Sequence, residues 1–191
     1  SGAGAIGVGN AIFCNGANMA YRKSIFLEVN NFKSATTVSG DDVFLLHSIK
    51  KKYPKSIVFA KNRDAMVTTY AMQSFKGFIN QRKRWVAKSS SYKDYASIYS
   101  SFLVFFTNLI GFSLLFLLLY DSSYLFCLLY YFGIKFLVDL FLLYPVLSFF
   151  KQKDLIKWIL PLEIFYSIYI VLIVFLSLSN TFEWKGRIHK K

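Results

Sequence analysis

Cysteine and acidic residues are scarce in this sequence. It has two Cys among 191 residues, and ten Asp and Glu against 23 Lys and Arg. Cys14 and Cys127 are far apart, and Cys127 falls inside an apolar run, so neither a disulfide framework nor a cysteine metal site is indicated. The chain also begins without Met or a signal peptide. We therefore expect a fragment whose N-terminal part is absent.

Apolar residues, in contrast, are abundant. The composition is 55% hydrophobic and 19% aromatic, which is typical of a membrane protein rather than a soluble one. Three apolar runs, 102–120, 124–150 and 158–178, each have the length to cross about 30 Å of hydrocarbon. They predict a membrane region over 99–180. Within the second run, Lys135 and Asp139 stand at i and i+4 and are expected to pair with one another.

Positive charge is concentrated before these runs. Up to position 101 there are 15 Lys and Arg but five Asp and Glu, which suits anionic lipid headgroups or an anionic substrate. A nucleic-acid module is not expected beside such apolar runs. The positive-inside rule places this part in the cytoplasm, at the inner or plasma membrane. Three spans would put the basic tail, 181–191, on the opposite side, so the topology of the last run stays open.

Helix, strand and loop alternate over the first hundred residues. Gly2, Gly4 and Gly7 fit a GxGxxG pattern but follow no strand, so a flexible loop is predicted there. Strands are predicted at 12–14 and 56–60, and helices at 24–30 and 43–52. These features predict an α/β fold with too few strands for a complete sheet.

A further helical pattern covers 70–98, with Thr69 as its expected cap. Within it, Gln81, Arg84 and Trp85 are spaced i, i+3 and i+4, so an amide, a guanidinium and an indole share one face. These groups could hold a phosphorylated sugar. The same pattern is also that of a basic amphipathic helix at a membrane surface.

Two adjacent acids, Asp41 and Asp42, lie where a loop opens a helix. Acids are favoured in the first turn of any helix, where they interact with the unpaired amides and the dipole. A carboxylate at such a position could also accept the proton of an attacking sugar hydroxyl.

Together, these segments resemble a known family. Three segments precede the membrane spans: a Phe-Cys-Asn-Gly-Ala-Asn loop at 13–18, Gly-Asp-Asp at 40–42 and Gln-Arg-Lys-Arg-Trp at 81–85. In this order they resemble glycosyltransferase family 2. The resemblance is to its membrane-bound members, such as cellulose and hyaluronan synthases. The resemblance implies that residues 1–98 are the C-terminal part of a GT-A-like nucleotide-sugar transferase domain.

The resemblance also implies roles for individual residues. Asp42 matches the catalytic base and Asp41 its neighbour. The motif that lines the donor diphosphate and acceptor site is matched by Gln81, Arg84 and Trp85. The loop beside the acceptor is matched by Asn15, Gly16 and Asn18.

A divalent cation, Mg or Mn, is expected from the family, but its Asp-x-Asp ligands do not occur in this sequence. They would lie outside this chain, which should then not turn over alone. The function predicted is an inverting hexosyl transfer from a nucleotide-diphosphate sugar to a hydroxyl acceptor. This acceptor is either a glycan or a lipid-linked molecule. The alternative is a non-catalytic membrane scaffold or transporter module that binds anionic lipid through its basic helix.

Overall fold

The computed structural model describes residues 2–29, 41–178, 181–184 and 187–190. These residues fall into two compact units, Ser1–Ser101 with Ser179–Lys191, and Phe102–Leu178. The regular elements are α1 (Gly2–Gly7), α2 (Lys23–Val29), α3 (Asp41–Lys52), α4 (Phe75–Ser89), α5 (Tyr95–Tyr120), α6 (Leu125–Phe149), α7 (Ile159–Ser177), β1 (Thr181–Trp184) and β2 (Arg187–Lys190). Short 3-10 turns occupy Arg63–Ala65, Ser122–Tyr124 and Lys153–Trp158.

The α/β prediction is wrong for the part of the chain that the structure describes. Residues 12–14 and 56–60 are irregular, and the strands described are β1 and β2, which form one antiparallel pair with Thr181 opposite Lys190. A strand needs a partner for its backbone hydrogen bonds. The carbonyl of Ile12 instead faces side chains, and Val58 is 84% exposed. Local strand propensity therefore did not produce a sheet.

The first residues form a helix, α1, where a flexible loop was expected. The helix expected at 24–30 is observed as α2, with Ser24 inside its first turn rather than at its cap. The expected end of that helix at Asn30 lies outside the described residues.

The helix α3 carries opposite charges at its two ends. Asp41 and Asp42 lie in its first turn, and Lys50, Lys51 and Lys52 in its last. Both placements complement the helix dipole, with acids near the free amides and bases near the free carbonyls. Three apolar side chains in its first half are buried, namely Val43, Leu45 and Leu46. Burial of this stripe sets the rotation of α3 and so the direction of the acids at its start.

The cap of helix α4 lies five residues after the predicted cap, Thr69. Ser74 is the N-cap, and its hydroxyl accepts a 3.1 Å hydrogen bond from the amide of Gly77. Such a cap satisfies one of the free amides of the first turn. The helix then runs to Ser89, so the whole Gln-Arg-Lys-Arg-Trp segment is helical.

The second unit contains the apolar helices α6 and α7 and the part of α5 that follows Ser101. Together with the short turns before α6 and α7, they give three segments that are long and apolar enough to cross a membrane, Tyr95–Tyr120, Ser122–Phe149 and Lys153–Ser177. The finding is compatible with the predicted integral membrane protein. Helix α5 approaches its neighbours closely at Gly111, where a Cβ would lie 2.8 Å from Tyr131 and 3.0 Å from the Ser167 hydroxyl.

Charged side chains in these helices are paired with one another. The predicted pair is present, because the Lys135 ammonium donates to Asp139 at 2.7 Å. Lys135 also donates to Glu163 of α7, a contact that the spacing within one helix did not predict. Lys135 and Glu163 are both largely buried, with side chains 11% and 5% exposed. This charge triad of Lys135, Asp139 and Glu163 joins α6 to α7.

Candidate functional site

The start of α3 and the loop at 13–18 lie against each other. Asp42 is half-buried, and its Oδ1 accepts from its neighbouring amide, Val43, at 2.9 Å. A Cβ built on Gly16 would lie 2.7 Å from Asp42 Oδ2. Only a residue without a side chain fits beside this carboxylate without moving it.

The loop holds its shape through its own polar groups. The carbonyl of Asn15 accepts from the amide of Asn18 at 3.1 Å, and the Asn15 side chain accepts from the amide of Ala17 at 3.1 Å. The side chain of Asn18 donates to the carbonyl of Ala65 in the 3-10 turn. The two asparagine side chains therefore shape and anchor the loop, and Gly16 is its point of contact with Asp42.

Two cations of α4 come within electrostatic range of Asp42. Burial lowers the pKa of Arg84, and the carboxylate of Asp42 opposes that shift. Lys88 behaves in the same way, since burial lowers its pKa while Asp42 raises it. The residues stand at i and i+4 on α4, so one helical face carries both positive charges. The structure thus brings Asp42 and Arg84 together across about forty residues of sequence.

Two neutral acids also border Asp42. Burial, with the nearby charge of Asp42, raises the pKa of the Cys14 thiol to about 11. The same two causes raise the pKa of the Tyr92 phenol to about 12. Both groups therefore stay protonated at neutral pH, and Asp42 is the anion of this group of side chains.

The remaining predicted residues of α4 lie along the same helix. Trp85 is 42% exposed, and the guanidinium of Arg82 stands 4.2 Å from the centre of its ring. Arg82 also stacks on Phe78 at 4.8 Å. Gln81 is half-buried, one turn before Arg84. Trp85 therefore offers an exposed, rigid aromatic surface supported by a cation.

Asp41, in contrast, is exposed at the first position of α3. Its charge acts on Lys88 more weakly than the charge of Asp42 does. Of the two adjacent acids, Asp42 is thus the one directed toward the loop and the cations.

Sequence reasoning missed Lys88, Tyr92 and any electrostatic role for Cys14. Lys88 continues the face of Arg84 by one further turn, so helical spacing could have identified it. Tyr92 follows the helix in a turn, and no periodic signal marks it.

A metal ion does not fit the residues that the structure describes. They contain no group of three His, Cys, Asp or Glu side chains that could hold one. Asp41 and Asp42, adjacent in the first turn of α3, supply only two carboxylates, whereas a calcium site uses roughly six or more oxygen ligands.

Comparison with known proteins gives one finding. A family model described as "Glycosyl transferase family group 2" matches residues 4–182, which include the loop, the acids, α4 and the three apolar helices. No curated protein and no solved structure matches the chain.

Proposed function

Because the chain belongs to glycosyl transferase family group 2, we propose that Asp42 is the base of an inverting sugar transfer. The family uses a nucleotide-sugar donor and an acceptor. The observation that carries the proposal is the position of Asp42, between the Gly16 loop and the cations of α4. A carboxylate at this position can accept the proton of an attacking hydroxyl, as a general base does.

The reaction exchanges one C–O bond for another and moves one proton. The hydroxyl oxygen of the acceptor attacks the anomeric carbon, and Asp42 takes the hydroxyl proton. The bond from that carbon to the phosphate oxygen breaks, and the electron pair leaves with the nucleoside diphosphate. Attack from the side opposite the phosphate inverts the anomeric centre. General-base assistance of this kind contributes about 10²–10⁴-fold in rate.

Arg84 offsets the charge that grows on the leaving diphosphate. A guanidinium can donate two parallel hydrogen bonds to phosphate oxygens, and partial burial strengthens each of them. Before the donor binds, the charges of Arg84 and Asp42 partly balance each other. The diphosphate supplies its own negative charge to Arg84, and Asp42 is then available to the acceptor.

Trp85 supplies the wall against which the acceptor sugar packs. Its exposed ring is large and flat, and the Arg82 guanidinium packs against it. The C–H face of a pyranose packs on such a surface, while Gln81 can hydrogen-bond a hydroxyl or a phosphate oxygen. The acceptor is therefore a glycan or a lipid-linked sugar.

The reaction is placed at the cytoplasmic face of the membrane. The unit that carries Asp42 and α4 is rich in Lys and Arg, and the loop between the last two spans, 151–157, is also basic. The positive-inside rule places both on the cytoplasmic side. Any divalent cation that assists the diphosphate would be held by groups other than the residues described here.

The test replaces each of the two adjacent acids. Asp42→Asn keeps the size of the side chain and removes its basicity, so we expect turnover to fall by about 10²–10⁴-fold. Binding of the sugar nucleotide should stay within about twofold. Asp41→Asn is the matched control and should keep most of the activity, because Asp41 is exposed.

Release of nucleoside diphosphate is measured with a panel of UDP- and GDP-sugars. The full-length protein is assayed in its native membranes, which supply the acceptor. Wild-type turnover in the Asp42→Asn variant, or an equal loss in Asp41→Asn, would remove Asp42 as the base.

A further inference from the structure

A backbone carbonyl beside the candidate site is held by two side chains. The carbonyl oxygen of Ile12 lies 3.3 Å from His47 Nε2 and 3.1 Å from Ser97 Oγ, and these two side-chain atoms are 3.0 Å apart. A carbonyl can only accept hydrogen bonds. The Ser97 hydroxyl donates to it, and His47 donates to it in the tautomer that carries the proton on Nε2.

The groups around this carbonyl are themselves fixed. Asp94 Oδ1 accepts from the amide of Ser97 at 3.0 Å, which caps the start of α5, and it lies 2.9 Å from the Ser97 hydroxyl oxygen. The other carboxylate oxygen of Asp94 accepts from Lys50 at 2.7 Å. Ser97 is 5% exposed. The ring of Tyr92 packs edge-on against His47, with 5.3 Å between ring centres.

The surroundings of the imidazole disfavour its charged form. Burial lowers the pKa of His47, although the bond to Ile12 and the charge of Asp94 oppose the shift. Lys50 acts in the same direction as burial. Burial is the largest of these effects, so the surroundings of the ring favour its neutral form.

The contact connects two parts of the candidate site. His47 and Asp42 both lie on α3, while Ile12 and Gly16 lie at either end of one short segment. His47 therefore holds one end of the segment, and Gly16 rests on Asp42 at the other. Cys14 lies between these two contacts and is half-buried.

We propose that His47 is a positioning residue, which, with Ser97, holds the Ile12 carbonyl and thereby sets the loop at 13–18 against Asp42. The proposal rests on the proposed function, because it gives that loop a part in acceptor binding. His47 touches neither the donor nor the acceptor. Its loss should lower kcat while leaving the KM for the donor unchanged, since the donor diphosphate is bound by α4.

The first test measures the loop without any need for turnover. Cys14 reports on the loop, and the background variant Cys127→Ser leaves it as the one thiol of the chain. His47→Leu removes the hydrogen bond and should raise the rate at which iodoacetamide alkylates Cys14 by about tenfold. This is the change expected when one buried hydrogen bond is lost.

Three further variants separate positioning from a general loss of structure. Ser97→Ala should raise the alkylation rate in the same direction. His47→Gln retains a donor and should restore most of the wild-type rate. Ser48→Ala is the matched control, because the Ser48 hydroxyl donates to Phe44 within its own helix, at 2.9 Å, and should leave the rate unchanged.

The second test measures kinetics with the UDP- or GDP-sugar that the wild type uses most rapidly. We expect a loss of about tenfold in kcat for His47→Leu, an unchanged donor KM, and recovery in His47→Gln. An unchanged alkylation rate in His47→Leu would overturn the proposal. A raised rate with an unchanged kcat would overturn the positioning role, whereas the proposed base is judged separately by Asp42→Asn.

Discussion

The replacement Gly16→Ala tests the contact between the loop and the Asp42 carboxylate. The added methyl carbon would lie 2.7 Å from Asp42 Oδ2 and 3.3 Å from its Cβ. Ordinary van der Waals contact begins near 3.4 Å, so the carboxylate oxygen must move by about 0.7 Å. The atoms displaced belong to a side chain, so the backbone can keep its position.

The expected loss follows from this displacement. A misplacement of about 1 Å at a reacting group costs on the order of 10²-fold in rate. We therefore expect kcat to fall by about tenfold to hundredfold, or about 1.4–2.7 kcal/mol in activation free energy. Stability should not fall in parallel, because Gly16 is exposed and Gly→Ala lowers the entropy of the unfolded chain.

Gly4→Ala is the matched control, since no atom lies within 4 Å of a Cβ built at Gly4. Release of nucleoside diphosphate gives kcat, and thermal unfolding in detergent gives stability. Wild-type kcat in Gly16→Ala would refute the reasoning, because the carboxylate could then act from a displaced position. A fall in kcat of the same size in Gly4→Ala would also refute it.

Two further predictions concern charge. Lys135→Met leaves Asp139 and Glu163 without their shared ammonium and should destabilise the protein by about 3–5 kcal/mol. Stability should recover in part when Glu163→Gln is added. Thermal unfolding in detergent measures both effects, and equal stability of Lys135→Met and wild type would contradict the prediction. In the Cys127→Ser background, the rate of Cys14 alkylation should rise with pH. The midpoint of that rise should lie at a pH of about 11, because burial and Asp42 disfavour the thiolate. Asp42→Asn should lower that midpoint, and a midpoint at 9 in the wild type would contradict the burial of the thiol.

Local spacing was a good guide within single helices. The positions of Gln81, Arg84 and Trp85 on one helix follow from periodicity, and so does the pair of Lys135 with Asp139. In each case the partners are three or four residues apart, and the helix itself fixes their distance.

Contacts between distant segments could not be obtained in this way. The approach of Gly16 to Asp42 and the contact of Lys135 with Glu163 depend on how two segments pack, which the spacing within either segment does not specify. The resemblance to a family had grouped Asp42 with Arg84, but its last motif ends at Trp85 and so does not include Lys88. Segments 12–14 and 56–60 have strand propensity, and a sheet requires a neighbouring strand that local propensity cannot supply.

The charge triad has a consequence for how the chain enters the membrane during synthesis. The span containing α6 brings Lys135 and Asp139 together, so its charges compensate each other before any other helix arrives. The helix α7 brings one carboxylate, Glu163, whose partner is Lys135 of the preceding span. A lone carboxylate in hydrocarbon is unfavourable. We therefore expect α7 to leave the translocation machinery only alongside α6, so that the last two spans integrate as a pair.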